Sequence, residues 1–195
     1  MAGKIVKFAA QSNSVFMKVL SERISILKKD NLLSIVILPG LDKKRLLAIL
    51  LWLVAWSLCG IVMFIGYFQT EGKDAKLFIL VYLSFWFYFE YNIIRSYFWK
   101  RSGKEKLWIK DGILHYQREL HQRGKIVELE TTLVNPVELI ELKPTRFMDT
   151  ISQSFWIRGG ERLLLQSQVK QIRFGMQLSD SDAKELRREI NKYLA

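Results

Sequence analysis

The chain is 195 residues long, half of them hydrophobic, 13% aromatic and a quarter charged, a mixture that implies strongly apolar segments separated from strongly polar ones. A single cysteine excludes an intrachain disulfide, and His115 and His121, the two histidines, have no zinc-binding spacing. The net charge of +11 invites a nucleic-acid partner, but residues 107–195 carry only +2 of it, without the basic stripe that such binding demands.

Residues 1–45 read as a cytoplasmic segment. Val15, Phe16, Val19 and Leu20 predict a short amphipathic helix, and Lys4, Lys7 and Lys18 suit a membrane surface. Residues 24–27 and 33–38 flank Lys28-Lys29-Asp30-Asn31, which predicts a β-hairpin over residues 23–38 with β-branched enrichment. Two fates are open to that hairpin: joining later strands in one composite domain, or standing as an edge-exposed ribbon.

Residues 46–68 form 23 positions without a charge, about 34 Å as a helix, against a hydrocarbon core of about 30 Å. A transmembrane helix is predicted, because the rest of so short a chain could hardly cover a helix apolar on all sides. Cys59 is read as a small packing residue beside Gly60.

A tight link, QTEGKDAK, leads to a second apolar run that has no charge from Leu77 through Phe89. Thirteen residues are too few to span, so the predicted helix covers residues 75–97 and takes in Glu90 and Arg95. Glu90 then lies about 7 Å inside the far boundary, within reach of interfacial water, and Arg95 snorkels outward. Trp86, Tyr88, Tyr91, Tyr97 and Trp99 match the aromatic enrichment of a bilayer surface. A second reading makes Glu90 an intramembrane carboxylate that serves an ion path or a partner subunit. Glu90 and Arg95 stand about 140° apart around a helix, poorly placed to neutralise each other.

Residues 1–45 carry +6, residues 69–76 carry none and residues 77–106 carry +3. The bases therefore flank the open ends of the helix pair: Lys43, Lys44 and Arg45 before it, and Lys100, Arg101, Lys104 and Lys106 after it. The positive-inside rule puts both termini in the cytoplasm, with anionic headgroups a sufficient partner for these bases.

Beyond residue 100 the pattern takes the period of strands. Asp111-Gly112 between apolar runs predicts a hairpin turn, Arg123-Gly124 a further break, residues 137–142 a strand, and Gly159-Gly160 a turn after a strand over residues 151–158. Ile172, Phe174, Met176 and Leu178 alternate with polar or small residues, so about seven short strands are expected. A helix over residues 180–194 follows, with Ser179 or Ser181 as cap and Ala183, Leu186, Ile190 and Leu194 on one face.

Strands closed by an amphipathic helix follow the plan of a pleckstrin-homology-like domain. The segment LLSIVILPGLDKKR, a Trp-rich helix pair, the juncture WKRSGKEKLWIKDG and the late run QIRFGMQLSDSDAKEL resemble small bacterial membrane proteins of unassigned function, the YcxB-like group. A similar layout occurs in the photosystem I assembly factor of chloroplasts. The resemblance implies an α+β membrane protein: a two-helix transmembrane hairpin plus an antiparallel pleckstrin-homology-like β barrel or sheet with a C-terminal helix, in the bacterial cytoplasmic membrane. Phosphoinositide-binding members use clustered bases at the first hairpin, whereas that turn here offers Lys110 beside Asp111.

No phosphate-cradling loop, nucleophile elbow or HExxH is present, and no catalytic residue, cofactor or metal is expected. Glu128 and Glu130 read as a solvated strand face. The expected function is that of an interaction protein which holds its β domain at the membrane to bind or assemble a larger complex, or self-associates. Its expected contact surfaces are the strand after Gly160 and the aromatic face of the second helix. The alternative is a homo-oligomeric channel or transporter subunit using Glu90.

Overall fold

The computed structural model describes residues 5–8, 15–29, 31–40, 42–140 and 159–194. They form two units: a helical hairpin, and a β unit assembled from the chain on both sides of it.

In the β unit, β1 (Ile5–Phe8), β2 (Val15–Ser21), β3 (Ile24–Lys29) and β4 (Leu32–Ile37) precede the helices, while β5 (Gly103–Lys110), β6 (Ile113–Leu120) and β7 (Ile126–Glu130) follow them. All seven lie in chain order in one antiparallel sheet. The hairpin predicted over residues 23–38 is therefore β3–β4, and it joins the later strands through β4 and β5, from Leu32↔Lys110 to Ile37↔Glu105. The short amphipathic helix expected around Val15, Phe16, Val19 and Leu20 is instead β2, paired with β3 from Phe16↔Lys28 to Ser21↔Ile24. Apolar residues four apart fit a helix face, but in a seven-residue segment the backbone partners offered by β3 decide the conformation, and β-branched Val15 and Val19 favour it.

β8 (Glu138–Leu139), β9 (Glu161–Gln166) and β10 (Gln171–Met176) make a second sheet in the order β10-β9-β8. No strand pairing joins the two sheets among the described residues, so the β unit is a pair of open sheets and not the closed barrel that was one form of the expectation. The strand predicted over residues 137–142 shrinks to β8, its last two positions lying outside the described residues, as does the strand predicted over residues 151–158.

The turns follow backbone chemistry. Asp111 and Gly112 both take positive φ, as a two-residue hairpin turn needs. The break expected at Arg123-Gly124 falls between β6 and β7, and within it His121 and Gln122 take positive φ, +50° and +63°. Gly124 serves close approach: a Cβ there would stand 2.1 Å from the Arg118 carbonyl oxygen.

Across the inner face of the large sheet, cross-strand rows run Ile26–Ile35–Leu107–Tyr116–Val127 and Leu33–Ile109–Leu114–Leu129. Leu163, Leu165, Ile172 and Phe174 of the small sheet complete the core. The last element, α3 (Asp180–Leu194), matches its predicted span and buries Ala183, Leu186 and Ile190 in that core. Ser179 caps it, its hydroxyl accepting from the Asp182 N–H at 3.1 Å. Two further ties hold α3. The Asn191 amide accepts from the Val137 N–H at 2.7 Å and donates to the Val137 carbonyl at 3.1 Å, and the Glu189 carboxylate bridges Lys18 at 3.0 Å and Lys28 at 2.7 Å.

The hairpin unit consists of α1 (Lys43–Gln69) and α2 (Lys73–Ser102), which exceed the predicted 46–68 and 75–97 at both ends. Asp42 explains one extension: its carboxylate accepts from the N–H groups of Lys44 and Arg45, starting α1 among the charged residues. Both helices are long and apolar enough to cross a membrane, and only 11% of each apolar window is buried, which a soluble core helix would not tolerate.

Candidate functional site

Within the hairpin, α2 turns Leu83, Trp86, Glu90 and Ile93 inward at spacings of three and four, one stripe of a helix. Gly60 of α1 admits the stripe's largest member, since a Cβ there would lie 2.1 Å from the Trp86 ring. The Trp86 indole N–H donates to the Trp56 carbonyl at 3.1 Å, so a backbone acceptor satisfies its polar edge. Packing beside Gly60 thus falls to Trp86, whereas Cys59 is exposed.

One turn further along, the Ser57 hydroxyl donates to Glu90 Oε1 at 2.6 Å and also stands 2.8 Å from the Leu53 carbonyl. Glu90 is only 8% exposed, and its second oxygen is buried without a hydrogen-bond partner among the described residues. Glu90 thus faces α1, opposite the middle of the uncharged run 46–68. A buried polar group is held where a partner exists, and Ser57 supplies one. Arg95 is exposed and takes no part, as the 140° offset implied.

The bases expected at a membrane surface divide. Lys43, Lys44, Arg45 and Arg101 are exposed, with Arg45 held 3.1 Å from Asp42. Lys100 is buried, and Lys104 pairs at 2.8 Å with Glu119, which also holds Lys106. Hydrogen bonds from the two ammonium groups hold the Glu119 carboxyl below the usual range despite its burial. Register places the cluster, since Lys104 stands opposite Glu119 and Lys106 opposite Gln117.

A second polar site lies where the two sheets meet. Glu105, 2% exposed, occupies an inward position of β5 beside Leu107 and Ile109. One carboxylate oxygen accepts from the Tyr116 hydroxyl at 3.0 Å and Arg118 Nε at 3.2 Å; the other accepts from the N–H groups of Gly175 at 2.7 Å and Met176 at 3.3 Å. Gly175 has φ +74°, a conformation that turns consecutive N–H groups toward one anion. Arg118 goes on to Glu161 at 3.0 Å and the Arg173 carbonyl at 2.6 Å. Arg23 donates to the carbonyls of Gln177, Met176 and Leu38. Arg118, Arg23 and Glu105 thus bond backbone groups of β10 on its edge away from β9, which no described strand pairs, closing the seam between open sheets. Burial, with the Glu105 charge beside it, pushes the Tyr116 phenol well above its ordinary value. Every Glu105 oxygen is occupied, so the seam is a clamp and offers no free base.

The sequence marked Glu90 as a charge in an apolar run but gave no sign of Ser57, one small residue among lipophilic ones. Glu105 carries its signal in strand parity, a charge at an inward position of β5. The junction motif containing Glu105 and the late run containing Gly175 turn out to bond to each other. No protein-family model, curated protein or solved structure matches the chain.

Proposed function

We propose that this chain is a membrane-anchored interaction protein. Its helical hairpin crosses the bacterial cytoplasmic membrane, with both termini in the cytoplasm, and presents a pleckstrin-homology-like β domain that binds or assembles a larger membrane complex. The observation that carries the reading is the outward apolar surface of α1 and α2, which includes Leu51, Val62, Phe78, Phe85 and Phe87, on helices continuous with a folded sheet domain. Water would not tolerate such a surface, and lipid requires it. The exposed bases Lys43, Lys44, Arg45 and Arg101 support the orientation. Two sheets and a closing helix, drawn from both sides of the hairpin, support the domain type in composite form. Ser102 ends α2 and Gly103 begins β5, so no linker separates anchor from domain, an arrangement suited to holding a partner at the bilayer.

The test is gentle detergent extraction of the tagged chain, then mass determination of the intact particle and identification of its contents. A defined particle containing other proteins is expected; a monomer without stoichiometric partners would overturn the proposal. The unpartnered oxygen of buried Glu90 favours a second reading, a homo-oligomeric channel or transporter subunit. Under it the particle is a pure ring, and ion flux in liposomes falls with Glu90→Ala.

A further inference from the structure

The contact between Ser57 and Glu90 is short of a hydrogen. A hydroxyl carries one hydrogen and two lone pairs. Ser57 Oγ stands 2.6 Å from Glu90 Oε1 and 2.8 Å from the Leu53 carbonyl oxygen, two hydrogen-bond distances for that single hydrogen. Given to Glu90, it leaves the hydroxyl and the Leu53 oxygen in contact with nothing between them; given to Leu53, in the back-bond common for serine in helices, it leaves the same gap toward Glu90. Oxygens that close repel unless a hydrogen or a cation lies between them. Charge is unbalanced at the same place. Ser57 is the midpoint of the uncharged run 46–68, about 16 Å of helix from either end, and the nearest charges along the chain, Arg45 and Glu71, lie beyond those ends. Arg95, the nearest base along α2, is exposed, and the Trp86 N–H is spent on the Trp56 carbonyl. The second Glu90 oxygen is buried without a hydrogen-bond partner among the described residues. A bare carboxylate is costly in hydrocarbon, so Glu90 requires a counter-charge that the hairpin does not supply.

We infer that the Glu90 carboxyl, Ser57 Oγ and the Leu53 carbonyl oxygen are a binding site for one small monovalent cation, a proton or a sodium ion. Carboxylate, hydroxyl and carbonyl oxygens suit a hard cation, and the single negative charge of Glu90 is matched by one positive charge, not two. A proton fills the missing place between Ser57 and Glu90. A sodium ion takes the lone pairs that otherwise face each other while the hydroxyl hydrogen stays on Leu53. The inference rests on the reading that α1 and α2 span a bilayer. It applies to an anchor as much as to a transporter subunit, because either must cover the charge.

The full chain and its Glu90→Gln variant are reconstituted in liposomes, and the infrared difference spectrum between them reads the Glu90 carboxyl directly. In sodium-free choline chloride the carbonyl stretch of a carboxylic acid is expected in wild type and is lost in Glu90→Gln. Ser57→Ala moves that band to higher frequency, since the acid loses its hydrogen-bond partner; a band left in place takes Ser57 out of the site and overturns it. Replacing choline by sodium at equal ionic strength separates the two ions. An unchanged acid band assigns the site to the proton alone, whereas a severalfold loss of that band, with a carboxylate band in its stead, assigns it to sodium in exchange with the proton. A carboxylate band that is the same in both salts, in chains that resist carbonate extraction from the liposomes, overturns the inference. Chains that carbonate removes overturn the bilayer reading and the inference with it.

Discussion

At the scale of single residues, the β unit depends on charges that act inside it. Glu105 occupies a core row where the register would otherwise place an aliphatic residue, and its two oxygens take four donors from two sheets. Glu105→Gln keeps the shape but turns an amide N–H₂ toward donors. Removing one member of a buried charged network costs about 3–5 kcal/mol, and that loss is expected in denaturant unfolding followed by near-ultraviolet circular dichroism. An unchanged midpoint would mean that the clamp contributes nothing. Glu189 gives a pH-dependent counterpart. Burial alone would raise its pKa, but Lys28 and Lys18 bring it from 4.5 down to about 2. A carboxyl depressed in the folded state binds fewer protons there than in the unfolded chain, so its contribution is complete above about 4.5 and is lost as pH falls through about 2. Wild type should therefore exceed Glu189→Gln in stability at pH 6, with the gap closing between these two values. Parallel curves across that window would show that the ion pairs are idle.

At the scale of elements, the contact between α1 and α2 hangs on a glycine. A Cβ at position 60 would stand 2.1 Å from the Trp86 ring, so Gly60→Val must move either the indole or a helix. Overpacking of this kind costs about 1–3 kcal/mol. Disulfide cross-linking between cysteines placed at Ser57 and Glu90 in the Cys59→Ser background should slow markedly once Gly60→Val is added; an equal rate would mean that the helices tolerate the extra methyls. The helices themselves were legible in the sequence because an uncharged run of 23 residues has few alternatives, and α3 because its cap, charges and apolar period agree. β2 was not legible, since seven residues with apolar pairs four apart satisfy two periods and the choice belongs to β3. The break at Arg123-Gly124 was legible, but not its geometry: Gly124 is needed for contact, and His121 and Gln122 carry the positive φ. Glu105 and Gly175 lie 70 positions apart, and no local pattern joins them.

At the scale of the whole molecule, topology treats the hairpin as an insertion. β4 ends at Ile37, β5 begins at Gly103, and Ile37 pairs with Glu105 as antiparallel neighbours. Two strands so placed need only a short turn between them, yet here the connection runs through α1 and α2. The β unit therefore draws its core from both sides of the insertion: Ile24, Ile26, Leu33, Ile35 and Ile37 before it, Leu107, Ile109 and Leu114 after it. Removing residues 1–40 would strip β5 of its neighbour and take five residues out of that core, so such a truncation should aggregate. Replacing residues 41–101 by a short Gly/Ser turn does the opposite. It leaves the rows Ile26–Ile35–Leu107 and Leu33–Ile109 intact, removes the exposed apolar helices, and shortens the loop whose closure opposes folding. The shortened chain is expected to be a soluble monomer by size-exclusion chromatography, with dispersed amide resonances and one cooperative unfolding transition. If it were instead soluble but molten, the helices would be part of what folds the sheets, and the hairpin would be a structural member of the domain.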